Sequence, residues 1–140
     1  METAGQDESK PLRVLLVEDE FVVAMTLRVQ LQALGCEVLG TAREANSGVE
    51  MTELLQPDLV LMDIGLREKS GVEATREIMR ASPTKVIVVT AYGDERIQEA
   101  LEAGAQAVLM KPVLEEQLAQ AIAEVTGRRC GGAPQQGEEQ

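Results

Sequence analysis

The 140-residue sequence predicts an α/β fold: a five-stranded parallel sheet in the order 2-1-3-4-5, flanked by five helices. Three observations carry that expectation. Five short apolar runs alternate with segments whose apolar residues recur at helical spacing, which is the pattern of strand–helix–strand units. The runs at 59–63 and 85–90 are apolar without alternation, as in strands buried on both faces of a parallel sheet. Finally, four of the five runs stop on a polar or charged residue, at Glu18-Asp19, Asp63, Thr90 and Lys111. For five units the common strand order is 2-1-3-4-5, with the ligand crevice between strands one and three at their carboxyl ends.

Met1 to Pro11 is polar and carries no period, so a loose tail is expected over 1–11. Leu12 to Val17 reads as the first strand, followed by the acidic Glu18, Asp19 and Glu20. From Phe21 to Leu34, the residues Ala24, Leu27, Leu31 and Leu34 form one helical stripe, and Gly35 follows as the stop. Cys36 to Ala42 is the second strand, weakened by Gly40. Asn46 to Leu55 is the second helix, with Val49, Met51, Leu54 and Leu55 on its apolar side and Pro57 beyond its end. Leu59 to Asp63 is the third strand, and Ile64 to Ser70 a polar loop. Gly71 to Arg80 is the third helix, bounded by Ser82-Pro83, and Lys85 to Thr90 is the fourth strand. Asp94 is expected to N-cap a fourth helix that turns Ile97, Ala100 and Leu101 inward and stops at Gly104. Ala107 to Met110 is the fifth strand, ended by Lys111-Pro112, and a fifth helix sets Leu114, Leu118, Ile122 and Val125 on one side. The expected domain is 12–126, with a disordered Gly-, Gln- and Glu-rich tail over 127–140.

Composition narrows the function. With one Phe, one Tyr and no Trp, the chain lacks the aromatic platform that binds single-stranded nucleic acid or sugars. Residues 1–10 carry a net charge of −2 and residues 127–140 a net 0, which leaves −9 of the total −11 in the folded part. Such a surface repels phosphate backbones and anionic lipid, so neither nucleic acid nor a membrane is an expected partner. Cys36 and Cys130 have no metal or redox spacing. With no signal peptide and no apolar run near 20 residues, a reduced, cytoplasmic setting is expected. The absence of histidine removes Ser-His-Asp and Cys-His catalysis, imidazole ligands and a self-carried phosphohistidine.

The strand order brings Glu18, Asp19 and Asp63 to one rim. Three crowded carboxylates need a cation, and an all-oxygen donor set without thiolate or imidazole selects Mg²⁺ or Mn²⁺ over zinc. Mg²⁺ keeps waters and phosphate oxygens among its ligands, so a metal and a phosphoryl group would share the site. Lys111 supplies a fixed positive charge and Thr90 one hydroxyl, as phosphoryl transfer requires. A carboxylate can itself act as nucleophile, and Asp63 is the central one. Each residue alone has an ordinary explanation in turns and strand ends; their arrival at four strand ends of one rim marks a site.

VLLVEDE at 14–20, PDLVLMDIGLREKSG at 57–71, VIVVTAYGD at 86–94 and GAQAVLMKP at 104–112 together resemble a receiver domain of a two-component response regulator, over 12–126. The resemblance implies the flavodoxin-like receiver fold, with Asp63 as phosphoacceptor, Asp19 as a direct Mg²⁺ ligand, Glu18 binding through water and the Gly65 carbonyl as the third protein ligand. It also implies that Thr90 and Lys111 contact the phosphoryl group and that the Lys111-Pro112 peptide is cis. Val108 stands where many members carry the Tyr or Phe that swings inward on phosphorylation. Tyr92 is the one aromatic near the site, and TAY at 90–92 is similar to a stand-alone and stress-signalling subgroup lacking the strand-five aromatic.

The expected function is therefore a single-domain relay that takes a phosphoryl group from a partner's phosphohistidine, in a histidine kinase or phosphotransfer protein, and changes its face of helix four, strand five and helix five toward a downstream protein. It is not an enzyme beyond its own phosphorylation and slow autodephosphorylation. Two alternatives compete: a degenerate receiver that only binds, and a Mg²⁺ phosphatase with an Asp nucleophile, whose usual second Asp is replaced here by Gly65. At about 100° per residue, Val22, Met25 and Val29 form a second stripe opposite the core stripe of helix one. That stripe is the expected docking surface for the histidine-bearing partner.

Overall fold

The computed structural model describes residues 10–91 and 93–128. Tyr92, Cys130 and nearly all of both expected tails lie outside the described residues. The order of elements is β1 (Arg13–Val17), α1 (Phe21–Ala33), β2 (Glu37–Ala42), α2 (Ala45–Leu55), β3 (Leu59–Asp63), α3 (Gly71–Ala81), β4 (Lys85–Thr90), α4 (Ile97–Ala103), β5 (Ala107–Met110) and α5 (Glu115–Thr126). All strands are parallel and lie in the order β2-β1-β3-β4-β5, as the sequence predicts.

Alternation along each central strand divides the core into two layers. Val14, Leu16, Leu59, Leu61, Ile87 and Val89 face α1 and α5, where Leu27, Leu31, Leu118 and Ile122 close over them. Leu15, Val17, Val60, Met62, Val86 and Val88 face α2, α3 and α4, meeting Ala45, Val72, Ile78 and Ala100. Both faces of the sheet are covered, which is why these strands read as unbroken apolar runs. In β2, Val38 pairs with Val14 and Gly40 with Leu15, so Leu39 is the extra residue of a bulge beside the weak point expected at Gly40.

Several inward assignments are corrected. On α2 the buried residues are Ala45, Gly48 and Thr52, while Leu54 is 81% exposed. Small residues let this helix sit close to the sheet: a Cβ on Gly48 would stand 2.9 Å from a Val17 methyl. The fully buried positions are therefore small, while Val49, Met51 and Leu55 are partly buried and pack against this layer as expected; of the expected apolar side, Leu54 is the one that is exposed. Asp94 does not cap α4, whose N-cap position is Arg96; its carboxylate instead accepts the Arg96 amide at 2.8 Å, closing the turn ahead of the helix. Ala100 is fully buried and Ile97 packs partly buried against the same layer, as expected, whereas Leu101 is exposed, because α4 is a seven-residue helix touching the core with one narrow edge. Leu114 occupies the N-cap position of α5 and is likewise exposed, before the helical phase begins. The loop after β3 is less polar than expected, with Ile64 and Leu66 both buried.

Candidate functional site

The carboxyl ends of β1, β3, β4 and β5 form one rim, and strand pairing continues past their last residues. The Glu18 amide donates to the Ala42 carbonyl at 2.9 Å, Ile64 to Val89 at 3.1 Å and Lys111 to Thr90 at 2.8 Å. The first residues beyond the strands are thus held by the sheet. Carboxylate oxygens of Glu18, Asp19 and Asp63 all lie within 4.8 Å of one another. Glu18 is only 2% exposed and Asp63 is also buried.

One ammonium faces this cluster. Lys111 Nζ lies 3.4 Å from Glu18 Oε2, 3.5 Å from Asp63 Oδ1 and 3.6 Å from Glu20 Oε1, and the Lys111-Pro112 peptide that orients it is cis. Among the described residues, this one ammonium is all that faces the two buried carboxylates, Glu18 and Asp63, in ion-pair range. Burial and then repulsion from Asp63 push the Glu18 carboxyl up to about 7, against the pull of Lys111. Burial works to lower the Lys111 ammonium, but Asp63 and Glu18 outweigh it and its pKa is raised. Both shifts have the sign of a site with too few cations.

The donor set fits a hard divalent cation. All three side chains offer carboxylate oxygen, and Glu18 Oε1 is buried without a hydrogen-bond partner among the described residues. An orphaned buried carboxylate oxygen of that kind is costly unless something coordinates it. The remaining Asp19 contact is an ion pair with the exposed Arg67, 3.5 Å away.

Asp63 is oriented by its own loop. The Gly65 amide donates to Asp63 Oδ1 at 2.9 Å, and the Gly71 amide returns to the Ile64 carbonyl at 3.0 Å. Ser70 caps α3 by accepting the Glu73 amide at 3.2 Å, which starts the helix directly against the loop. Gly71 is required by that close approach, since a Cβ there would lie 2.1 Å from the Asp63 carbonyl oxygen. Thr90 is buried, and its hydroxyl lies 3.4 Å from the Ala91 carbonyl.

The structure thus gathers Glu18, Asp19, Asp63 and Lys111 directly, with Gly65 bonded to Asp63 and Thr90 at the adjoining strand end. Two participants are not foreseen from the sequence: Glu20 and Gly71. Glu20 was visible as the third acid of a run, but nothing in the sequence says that it reaches Lys111. The exposed stripe on α1 is as predicted, with Val22 73%, Met25 49% and Val29 61% exposed. Phe21 joins it, and with Met25 and Arg28 it lines a hollow of about 240 Å³ that reaches Glu18. No helix among the described residues is long and apolar enough to cross a membrane.

A family model described as the response regulator receiver domain matches residues 14–123. The transcriptional regulatory protein PdtaR of Mycobacterium tuberculosis is 37% identical over 111 residues, covering 79% of this chain and 54% of that protein. The chain therefore spans about half the length of that curated relative. The chemotaxis protein CheY of Thermotoga maritima is 36% identical over 116 residues, covering 81% of this chain and 97% of CheY. Among solved structures, the signal receiver domain of a modulated diguanylate cyclase from Desulfovibrio desulfuricans superposes with a TM-score of 0.78 at 32% identity, covering 84% of this chain and 95% of that one. A putative response regulator from Chloroflexus aurantiacus gives 0.79 at 26% identity, covering 85% and 100%.

Proposed function

The chain belongs to the response regulator receiver domain family of two-component signalling, and from that membership we propose that residues 12–126 form a phosphoacceptor unit in which Asp63 takes a phosphoryl group from a partner's phosphohistidine. The observation that carries the reading is the convergence of three carboxylates within 4.8 Å, with Lys111 Nζ 3.5 Å from the central one.

An Asp63 carboxylate oxygen donates an electron pair to phosphorus, while the bond from phosphorus to the donor's imidazole nitrogen breaks and its pair returns to the ring. The negative charge on the phosphoryl oxygens must be matched throughout. Lys111 takes one of those oxygens and the Thr90 hydroxyl another. Glu18, Asp19, Asp63 and the Gly65 carbonyl would hold Mg²⁺, with Mn²⁺ as a substitute, and the bound ion supplies the positive charge that this cluster lacks. Gly65 presents no side chain to direct water onto the acyl phosphate, so autodephosphorylation is slow.

The partner is a histidine kinase or phosphotransfer protein that packs an apolar helix on Val22, Met25 and Val29, beside the site because α1 starts one residue after Glu20. The downstream partner reads the face of α4, β5 and α5. On that face Val108 and Met110 border a hollow of about 300 Å³ between β5 and α5, with no aromatic side chain lining it. The setting proposed is the cytoplasm.

Incubation with acetyl phosphate and Mg²⁺, followed by intact mass, tests the reading. The wild type gains one phosphoryl group and Asp63→Asn gains none. A wild type that stays unmodified under these conditions overturns the phosphoacceptor role.

A further inference from the structure

We propose that Arg96 is a second phosphoryl-binding cation of this site, held by Asp94 with its Nη2 beside the gap that Gly65 leaves open. The inference rests on the phosphoacceptor reading of Asp63 and adds a residue to it. An ideal Cβ on Gly65 would stand 3.6 Å from Asp63 Oδ1 and 3.7 Å from Arg96 Nη2. One small space is therefore bounded on one side by the phosphoacceptor carboxylate and on another by a guanidinium nitrogen. A side chain longer than a methyl at position 65 would occupy it.

The guanidinium is fixed rather than floating. Arg96 Nε lies 3.0 Å from Asp94 Oδ1 and Nη2 lies 2.9 Å from Asp94 Oδ2, a two-point pairing that commits one edge of the planar group. The same carboxylate accepts the Arg96 amide at 2.8 Å, so backbone and side chain are tied to one anchor. Pairing at Nε and Nη2 leaves Nη1 and the second N–H of Nη2 uncommitted among the described residues. Arg96 makes no side-chain cap on α4, so the helix does not use it.

Asp94 lies four residues beyond Thr90, the last residue of β4, and its carboxylate takes both the side chain and the amide of Arg96, so Asp94 acts as a positioning residue. Lys111 and Arg96 approach Asp63 from different strands' ends, one following β5 and one following β4. Two cations carried by two strand ends match a group with several charged oxygens better than one ammonium does, and the planar fork suits phosphoryl oxygens.

Beryllofluoride bound at Asp63 in the presence of Mg²⁺ serves as the probe, because it occupies the phosphoryl position without turnover. Its apparent dissociation constant is expected to rise roughly tenfold in Arg96→Gln, the scale of one charge-assisted hydrogen bond lost. Arg96→Lys, which keeps the charge and loses the fork, should show a smaller rise. Mg²⁺ alone should bind wild type and Arg96→Gln equally, since Arg96 touches none of the three acids. The same preparations are treated with acetyl phosphate, where the Asp63 oxygen bonds to phosphorus and the bond to the acetate oxygen breaks, its pair leaving with acetate. If wild type gains no phosphoryl group, the phosphoacceptor reading has failed. If it does gain one and beryllofluoride binds Arg96→Gln as tightly as wild type, Arg96 has no such role. A parallel loss of Mg²⁺ affinity overturns it as well, because the residue would then act through the general shape of the site.

Discussion

At position 71 there is no room for a methyl group, and the atom in the way is the backbone oxygen of Asp63, the proposed phosphoacceptor. Gly71→Ala must push the β3–α3 loop off α3. The expected loss is about 2 kcal/mol or more in urea unfolding, together with impaired phosphorylation by acetyl phosphate. A variant of wild-type stability would show that the loop shifts freely. The Asp94–Arg96 pair gives a pH prediction. Bonding from the Arg96 side chain holds the Asp94 carboxyl down to about 2, below its ordinary 3.8. A carboxyl depressed in the folded state contributes stability above the unfolded value and loses it as pH falls through the folded one. That contribution is therefore complete above pH 3.8 and disappears as the pH drops toward about 2. NMR titration of Asp94 should place its midpoint near the lower value, and Arg96→Gln should return it toward the ordinary one. Glu18, Asp19, Asp63, Thr90 and Lys111 were legible in the sequence because each ends an apolar run, a feature that topology converts into proximity. Arg96 was not, since an Asp and an Arg two residues apart in a polar loop look like any solvated turn.

Among the elements, α1 separates structural from exposed apolar residues most cleanly. Leu31 is fully buried between the helix and the sheet, whereas Val29 on the far side is largely exposed. Leu31→Ala should cost about 3 kcal/mol and Val29→Ala within about 0.5 kcal/mol, read from urea denaturation. If the exposed stripe serves phosphotransfer, Met25→Glu should slow transfer from the cognate kinase while acetyl phosphate still modifies Asp63 at the wild-type rate. Wild-type rates with both donors would remove the stripe from the docking surface. Both faces of α1 could be read from its sequence because thirteen residues give the helical period several turns to show itself. β3, β4 and β5 were bounded correctly for a similar reason: each is an apolar run interrupted sharply. α2 and α4 misled. One hides its sheet-facing side behind Ala45, Gly48 and Thr52, and the other is too short to display a period. Close helix–sheet packing selects small residues, so the largest apolar side chains of such a helix need not be the inward ones.

Across the whole molecule, a net charge of −11 is combined with a rim where three carboxylates meet one ammonium. The order of the strands makes this combination, since β1 and β3 are neighbours although a strand and two helices separate them in sequence. The general surface charge responds to any salt through screening, but the rim responds to a cation that can be coordinated. These two effects can be separated. Mg²⁺ that binds the folded state alone should stabilise it by about 1.4 kcal/mol at ten times its dissociation constant, on the order of 5 °C in Tm for a domain of this size. NaCl at matched ionic strength should give only the smaller, nonspecific part. Asp19→Ala should abolish the difference between the two salts, and it should raise the metal-free Tm by relieving like-charge crowding against Glu18 and Asp63. The relevant measurement is thermal unfolding of wild type and Asp19→Ala in EDTA, in MgCl₂ and in NaCl. A wild type whose Tm rises equally in both salts would mean that the acidic rim is only part of a screened surface, and the metal assignment to Glu18, Asp19 and Asp63 would have to be abandoned.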